Sequence, residues 1–382
     1  MHCRLTRSSH TNGLSFEWTE FIHVGGDSMA SINAPVRKPT LPEALRNIVI
    51  VYGLTVLSAV VVNWFVRTVP IGPWTHAQVD QFFWLDNVAW QLFALWWIIL
   101  IAVSDFFPFS EIRAGVVRGV VVIASGWILG WLTAKAVYAS GLGAGWLFPI
   151  IGNIYFFLAF FSFTGENWVV AGMAPRRKFT ILLALIAGLS YVVGSSSIRW
   201  IPAWWFPFVQ VGTSTGLLSY LTRGMKQPGK SVAQMCILAL VVLACTWVSS
   251  LLGIWTFTPS PVSPFWSSGT YTSDNVWLLF FMVGCSINFG LPILTQNWPF
   301  RYVRMPFGGL LACAFYIGLG AVITVVLKQL VGVVFSSMNE ALSFAYMGVN
   351  WSIGLCLVFG LGASRPYLWA GQETAGTWEG VS

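Results

Sequence analysis

Four charged residues lie inside or beside apolar stretches, at positions that recur along the chain. The segment Asp86-Asn87-Val88 returns as Asp274-Asn275-Val276, and each copy is followed by an apolar run that carries one lysine, Lys135 or Lys328. A charge that faces the membrane interior costs about 2.5 to 3.5 kcal/mol on insertion scales, so such residues tend to mark a polar interior or a solute path. The pattern makes these acids and lysines candidates for a binding site.

The spacing predicts that each lysine returns to the level of its acid. From either acid the chain runs about 20 residues to a turn and about 20 residues back, at about 1.5 Å per helical residue. We therefore predict two ion pairs, Asp86 with Lys135 and Asp274 with Lys328, near one end of a helix bundle. The alternative is that these side chains reach water at the membrane interface, where an exposed pair contributes only about 0 to 1 kcal/mol.

A second set of polar side chains consists of amides on alternate apolar segments. Each amide carries a donor and an acceptor, so a ring of them could bind an uncharged or zwitterionic solute. The alternative is hydrogen bonding between helices, which contributes on the order of 0.6 kcal/mol. The amides are Asn87, Asn153, Gln210, Asn275 and Asn350, with Asn288 deeper in its segment. The candidate substrate-binding set is Asp86, Asn87, Lys135, Asn153, Asp274, Asn275, Lys328 and Asn350.

The composition defines the elements that must position these residues. Of 382 residues, 56% are hydrophobic and 9% are charged, whereas about 25% charged residues is usual in soluble domains. Only helices and closed barrels satisfy backbone groups in lipid, and we predict an all-α, polytopic membrane helix bundle. The net charge of +7 falls in short clusters between apolar segments. We expect contact with the lipid bilayer and none with nucleic acid, while a protein partner or a homo-oligomer stays open.

About ten segments are apolar enough for the roughly 20 residues that a spanning helix needs. They run from 47 to 66, 85 to 104, 116 to 138, 147 to 164, 179 to 196, 204 to 222, 232 to 255, 275 to 295, 308 to 331 and 341 to 362. We therefore divide the chain into an N-terminal segment (1–45), a ten-helix transmembrane domain (46–364) and a C-terminal tail (365–382). Pro149 and Pro207 are each expected in a first helical turn, where proline loses no needed donor.

Lysine and arginine concentrate in alternate loops, for example Arg176-Arg177-Lys178 and Arg223 to Lys230. Cytoplasmic loops carry such an excess, so we predict a multi-pass protein of the cell (inner) membrane with both termini in the cytoplasm. The recurring Asp-Asn-Val segments also predict a parallel internal repeat, segments 1 to 4 against 7 to 10. An inverted arrangement of five plus five segments fits the topology equally but has no matching motif.

The loops on the other side are rich in tryptophan: Trp74, Trp84, Trp146, Trp200, Trp204, Trp205, Trp255 and Trp266. Tryptophan at headgroup level forms an interfacial belt in many membrane proteins. Two other interpretations are a roof over an outward-facing cavity and a surface that docks a partner. Small residues mark further positions. Gly126 with Gly130, and Gly318 with Gly320, are expected at close helix contacts, and Gly212 to Gly216 are expected to support a bend.

Two strings match catalytic motifs in spacing only. Gly224 to Ser231 matches a phosphate-binding loop, and Gly212 to Gly216 matches a nucleophile elbow, but both motifs need a strand before a helix. The predicted membrane helices contain no histidine, which argues against haem and histidine-ligated metal. We therefore expect no catalytic residues, no metal site and no cofactor.

Three functions are compatible with these features. The first is a permease or secondary transporter for a small solute, with its site in one half of the bundle. The second is a membrane anchor or assembly subunit that docks a partner through its tryptophan-rich face. The third is a membrane-embedded enzyme that uses isolated acids. Those acids are Asp86, Asp105, Glu111, Glu166, Asp274 and Glu340.

The first 28 residues are expected to lie outside the translated protein. They are polar and precede Met29, and codons for Gly25-Gly26-Asp27 can form a purine-rich ribosome-binding site. We predict that the intact mass of the native protein corresponds to a chain that starts at Met29. A mass that includes Met1 would refute this start site.

Overall fold

The computed structural model describes residues 40–68, 88–104, 106–112, 116–139, 143–195, 205–251, 272–295 and 297–354, apart from the side chains of some of them, including 143–150 and 272–275. Within this part of the chain there are eleven α-helices. They are α1 (Leu41–Thr68), α2 (Val88–Ile98), α3 (Val116–Ala139), α4 (Gly143–Leu158), α5 (Pro175–Ser195), α6 (Phe206–Ser214), α7 (Leu217–Leu221), α8 (Gly229–Leu251), α9 (Thr272–Thr295), α10 (Phe307–Gln329) and α11 (Met338–Ile353). Helices α2 and α4 continue as π-helices, Ile99–Val103 and Ala159–Thr164.

Five of these helices form a closed inner ring. Helix α2 contacts α4, the π-helical end of α4 contacts α6, α6 contacts α9, α9 contacts α11, and α11 contacts α2. Most described residues of the inner helices are buried, as in the run from Leu278 to Asn288 of α9, and none of them is fully exposed. A helix that is hydrophobic on all sides is suited to such a position because no face needs water.

Five longer helices pack around the inner ring. Helix α3 lies against α2, α5 against α4, α10 against α9 and α6, and α1 against α11 and α9. Helix α8 packs mainly against the π-helical end of α4, and less against α6. In this way the inner helices are shielded from the bilayer by a second layer.

The outer layer supplies the surface that meets lipid. Four stretches among the described residues are long and apolar enough to cross a membrane: Leu41–Val62, Val117–Ala136, Gly229–Val248 and Phe307–Gln329. Only 22% to 33% of the residues in their most apolar windows are buried. Apolar side chains that remain exposed over such lengths need lipid rather than water. The chain is therefore a multi-pass membrane protein with an all-helical fold.

The ten predicted segments each overlap helical residues, with differences at prolines and glycines. Pro207 lies in the first turn of α6, as expected. The expectation for Pro149 is wrong, because α4 already begins at Gly143. The predicted sixth segment is two helices, α6 and α7, separated at Gly216, whose φ of 73° is left-handed. Glycine adopts this conformation without the Cβ clash that other residues meet, so the expected bend is a complete break.

Glycines allow close contacts at two of the four predicted positions. A Cβ on Gly126 would overlap the indole of Trp97, and one on Gly130 would lie 2.6 Å from the Phe93 ring. A Cβ on Gly320 would lie 3.6 Å from the Cα of Gly284, an ordinary van der Waals contact that alanine could also make. Gly318 has nothing within 4 Å of such an atom. The first pair therefore fastens α3 to α2, while Gly318 has no packing role.

The glycine contacts predict opposite effects of the same substitution on two outer helices. Gly126→Ala forces the Trp97 indole, which donates to the Ile123 carbonyl, out of its position, and we expect a loss of about 1 to 3 kcal/mol in the free energy of unfolding. Gly318→Ala should stabilise by about 0.5 to 1 kcal/mol, because alanine favours helix without meeting a neighbour. Unfolding of the purified variants in detergent micelles measures both, and equal effects would contradict the packing described here.

Candidate functional site

Each of the five inner helices carries one buried amide among its described residues. The exposed fractions of these residues are 5% for Gln91 on α2, 0% for Asn153 on α4, 4% for Gln210 on α6, 0% for Asn288 on α9 and 3% for Asn350 on α11. A buried polar group needs hydrogen bonds, because its desolvation costs free energy that only a partner returns. The partners of these amides therefore define how the ring is held together.

Two tyrosines and a cysteine lie between the amides. The hydroxyl of Tyr155 donates to the main-chain carbonyl of Gln91 over 3.1 Å. The side chain of Gln210 lies beside the Cys285 thiol. Tyr155 and Tyr346 lie near the same thiol. These contacts bring side chains of α4, α6, α9 and α11 to one region.

The remaining amides fasten neighbouring helices through backbone carbonyls. Asn350 Nδ2 donates to the Trp90 carbonyl over 2.9 Å and to the Tyr346 carbonyl over 2.8 Å. Asn288 Nδ2 donates to the Pro207 carbonyl over 3.2 Å. We call the five buried amides, together with the two tyrosines and the cysteine, the polar belt. Its members are Gln91, Asn153, Tyr155, Gln210, Cys285, Asn288, Tyr346 and Asn350.

Some polar atoms of the belt have no hydrogen-bond partner among the described residues. They are Nε2 of Gln91, Oε1 of Gln210, and Oδ1 of Asn288 and Asn350. The orientation of the two asparagine amides is fixed, because only the amide nitrogen, and not the amide oxygen, can donate to a main-chain carbonyl. Leaving a buried donor or acceptor unpaired costs about 1 to 3 kcal/mol. These atoms are therefore available to a ligand or to ordered water.

Three aromatic side chains of the inner helices pack against one another beside the polar belt. The centroids of Tyr155, Phe206 and Phe281 lie 5.6 to 6.3 Å apart, and all three pairs meet edge to face. Trp205, expected at the membrane surface, is 1% exposed and packs against Phe206 and Phe156. Edge-to-face pairs are favourable beyond their buried area. The three rings hold α4, α6 and α9 together.

Four turns connect inner helices to outer helices, and we call their side of the bundle the turn end. Each starts with a buried hydroxyl that donates back to a carbonyl four residues earlier, then has a residue with positive φ. The hydroxyls belong to Ser104, Thr164, Thr215 and Thr295. The residues with positive φ are Phe106, Glu166 with Asn167, Gly216 and Asn297. In three of these turns a proline, Pro175, Pro228 or Pro306, then starts or immediately precedes the next helix.

A buried ion pair joins two of these turns. Lys230 Nζ lies 2.8 Å from Glu166 Oε1, and their side chains are only 7% and 13% exposed. Gln227 donates from its amide to Glu166 Oε2 and accepts from the Ser231 hydroxyl over 2.7 Å. The string that matches a phosphate-binding loop is thus a turn between α7 and α8. Its lysine binds a carboxylate of the protein.

A second set of contacts joins the break after α6 to α9. Ser214 Oγ donates to the main-chain carbonyl of Asn288 over 2.7 Å, and Asn297 Nδ2 donates to the main-chain carbonyl of Ser214 over 3.1 Å. The string that matches a nucleophile elbow is therefore the end of α6. Its serine contributes to helix packing.

Two of the predicted site residues, Asn153 and Asn350, are buried on the inner helices α4 and α11. Lys135 and Lys328 are exposed on the outer helices α3 and α10. Asp86 and Asn87 lie outside the described residues, and so do the side chains of Asp274 and Asn275. Both predicted ion pairs therefore stay predictions.

Sequence reasoning missed Gln91, Tyr155, Cys285 and Tyr346, and it left Gln210 and Asn288 outside the predicted site. Gln91 lies four residues after Asn87, one helical turn further along the recurring motif. That spacing places the two amides on the same face of a helix, and this signal was available. Tyrosine and cysteine inside an apolar run carry no such signal, because both are ordinary core residues.

The described residues contain no group of three or more metal-ligating side chains. Comparison with known protein families, curated proteins and solved structures found no match to this chain. The fold and site define a class, a multi-pass membrane protein with two concentric layers of helices and a neutral polar belt inside the inner one.

The buried ion pair predicts a large effect for a single substitution. Lys230→Met leaves the Glu166 carboxylate buried without its counter-charge, and we expect the free energy of unfolding in micelles to fall by about 3 to 5 kcal/mol. The double variant Glu166→Gln with Lys230→Met should recover much of that loss, because no unpaired charge is left. Lys226→Met is the matched control, since Lys226 is exposed on the same turn. An equal cost for Lys230→Met and Lys226→Met would disprove the role of the pair.

Proposed function

We propose that the protein is a permease or secondary transporter for a small solute, and that the solute binds at the polar belt. The observation that carries the proposal is that every inner helix contributes one buried amide. Polar residues inside membrane bundles are costly, and they mark pathways more often than lipid-facing surfaces. Holding one pair of helices together would not require amides on five different helices.

The short helix α6 supports this proposal. It spans only nine residues, from Phe206 to Ser214, and ends at the break before Gly216. Discontinuous helices at the interface between helix bundles form the binding sites of many transporters. Hydroxyls satisfy the backbone at this break: Thr215 donates to the Val211 carbonyl and Ser214 to α9. Such a break can change its angle without exposing backbone groups to lipid.

Charge at the turn end supports the predicted orientation. Arg176, Arg177, Arg223, Lys226 and Arg304 are all exposed there. Positively charged loops stay on the cytoplasmic side. We therefore place the turn end, and with it both termini, on the cytoplasmic side of the cell (inner) membrane.

An internal duplication is part of the same proposal. The four turns share a buried hydroxyl, a residue with positive φ and a following helical turn, in the same order. The shared order favours a repeated unit of one inner and one outer helix. This unit includes the predicted pairing of the second and third segments with the eighth and ninth.

The proposal is tested by the accessibility of Cys285, which lies in the belt and is 3% exposed. We expect a variant with this cysteine alone, the five others replaced by serine or alanine, to react with a small, membrane-impermeant methanethiosulfonate in native membranes. A transporter must open its site to water in part of its cycle. A solid anchor that docks partners through its surface has no such step. Mass spectrometry measures the labelled fraction.

The matched control is a variant with Cys236 alone, which is exposed on the outer helix α8 and faces lipid. It should stay unlabelled by a reagent that does not enter lipid. If Cys285 reacts only after denaturation in dodecyl sulfate, transport is contradicted and the anchor hypothesis is favoured.

A further inference from the structure

The described side chains of the polar belt carry no formal charge. Along the five inner helices the only charged residues are Asp274 and Glu340, and both lie in the first turn of their helix, α9 and α11. The Glu340 carboxylate accepts from the Ser336 backbone N–H and hydroxyl at 2.7 and 2.8 Å, as part of a helix cap. The belt itself consists of amides, phenols and one thiol.

A neutral belt discriminates against charged solutes. A charge at the centre of a membrane bundle costs several times the thermal energy unless a counter-charge lies beside it. The polar belt offers none. An anion or a cation would pay this cost in full, whereas an uncharged solute would exchange hydrogen bonds with water for hydrogen bonds with amides.

The free atoms of the belt also specify which hydrogen-bonding groups the solute must carry. Three of the four are carbonyl oxygens, on Gln210, Asn288 and Asn350, and one is the Gln91 nitrogen. Carbonyl oxygens only accept, so the solute must supply mainly donors and at least one acceptor. A hydroxyl group does both. The rings of Tyr155, Phe206 and Phe281 offer an apolar surface next to these atoms for the carbon chain of the solute.

We infer that the solute is a small, uncharged, polyhydroxylated molecule of the polyol class. It binds with its hydroxyl groups donating to the carbonyl oxygens of Gln210, Asn288 and Asn350, and one of its oxygens accepts from Gln91. This inference rests on the proposed transport function and adds to it the chemical class of the solute. It also predicts that binding at the belt takes up no proton, because the belt contains no carboxylate, histidine or amine.

The test uses the purified full-length chain in proteoliposomes and pairs of solutes matched in length. Each pair is a labelled polyol with its aldonate: glycerol with glycerate, erythritol with erythronate, xylitol with xylonate, and sorbitol with gluconate. We expect at least one polyol to enter faster than into protein-free liposomes, and roughly 100-fold faster than its aldonate by the protein-dependent route. Collapsing a pH gradient should leave binding of that polyol unchanged.

Variants of the belt connect the flux to the proposed atoms. Asn288→Ala and Asn350→Ala each remove one acceptor, and we expect the apparent affinity for the polyol to fall by about three- to tenfold. The control is Gln234→Ala on the outer helix α8. Gln234 is a buried amide that donates to Thr222 and lies outside the belt, so its variant should transport as the parent does. Size-exclusion profiles show which variants are folded.

The possible outcomes separate this inference from the function on which it rests. Entry of an aldonate at the rate of its polyol overturns the neutral-solute inference and leaves transport standing. If no polyol enters but Cys285 is labelled in native membranes, the polyol class is also overturned. The belt then binds only water or a solute of another class. Absence of both flux and labelling overturns the inference and the proposed function together.

Discussion

The hydrogen bonds between buried amides and backbone carbonyls of neighbouring inner helices are the interaction on which the rest of the structure depends. Helices in lipid gain nothing from hydrophobic association with one another, because the lipid tails are as apolar as their side chains. Asn350 and Asn288 therefore give direction to contacts that packing alone would leave unspecific. Each reaches a main-chain oxygen of another helix, Trp90 or Pro207, which no side-chain substitution on that helix can remove.

The concentric arrangement follows from the same physics. An inner helix can carry amides only if a second layer separates it from lipid, and the long outer helices supply that layer. The outer helices in turn need few polar groups, and their lipid-facing side chains are simple, for example Val322, Val325 and Val326 on α10. The two layers also pack closely, for example where Gly126 and Gly130 leave room for the rings of Trp97 and Phe93.

Much of the layout was predictable from the sequence. Apolar stretches of spanning length, the helix boundaries near Pro175 and Pro306, and the burial of Asn153 and Asn350 all follow from composition and period. The break at Gly216 was not predicted, because a small-residue stretch inside an apolar run is equally compatible with a continuous helix. The helix that each amide meets was also out of reach. Asn350 reaches the main chain of α2 at Trp90 only because the ring closes between α2 and α11, and no local pattern encodes that neighbour.

The asymmetry of the inner ring has a mechanical consequence. Helix α9 packs extensively on both sides, against α11 and α6, and Gly284 brings it close to Pro207 and Gly320. Helix α4 contacts its two ring neighbours, α2 and α6, much more sparsely, and it ends in a π-helix. Helix α9 and its neighbours thus form the densely packed part of the inner ring. Helix α4 is the inner helix that can move relative to its ring neighbours with the fewest contacts to break.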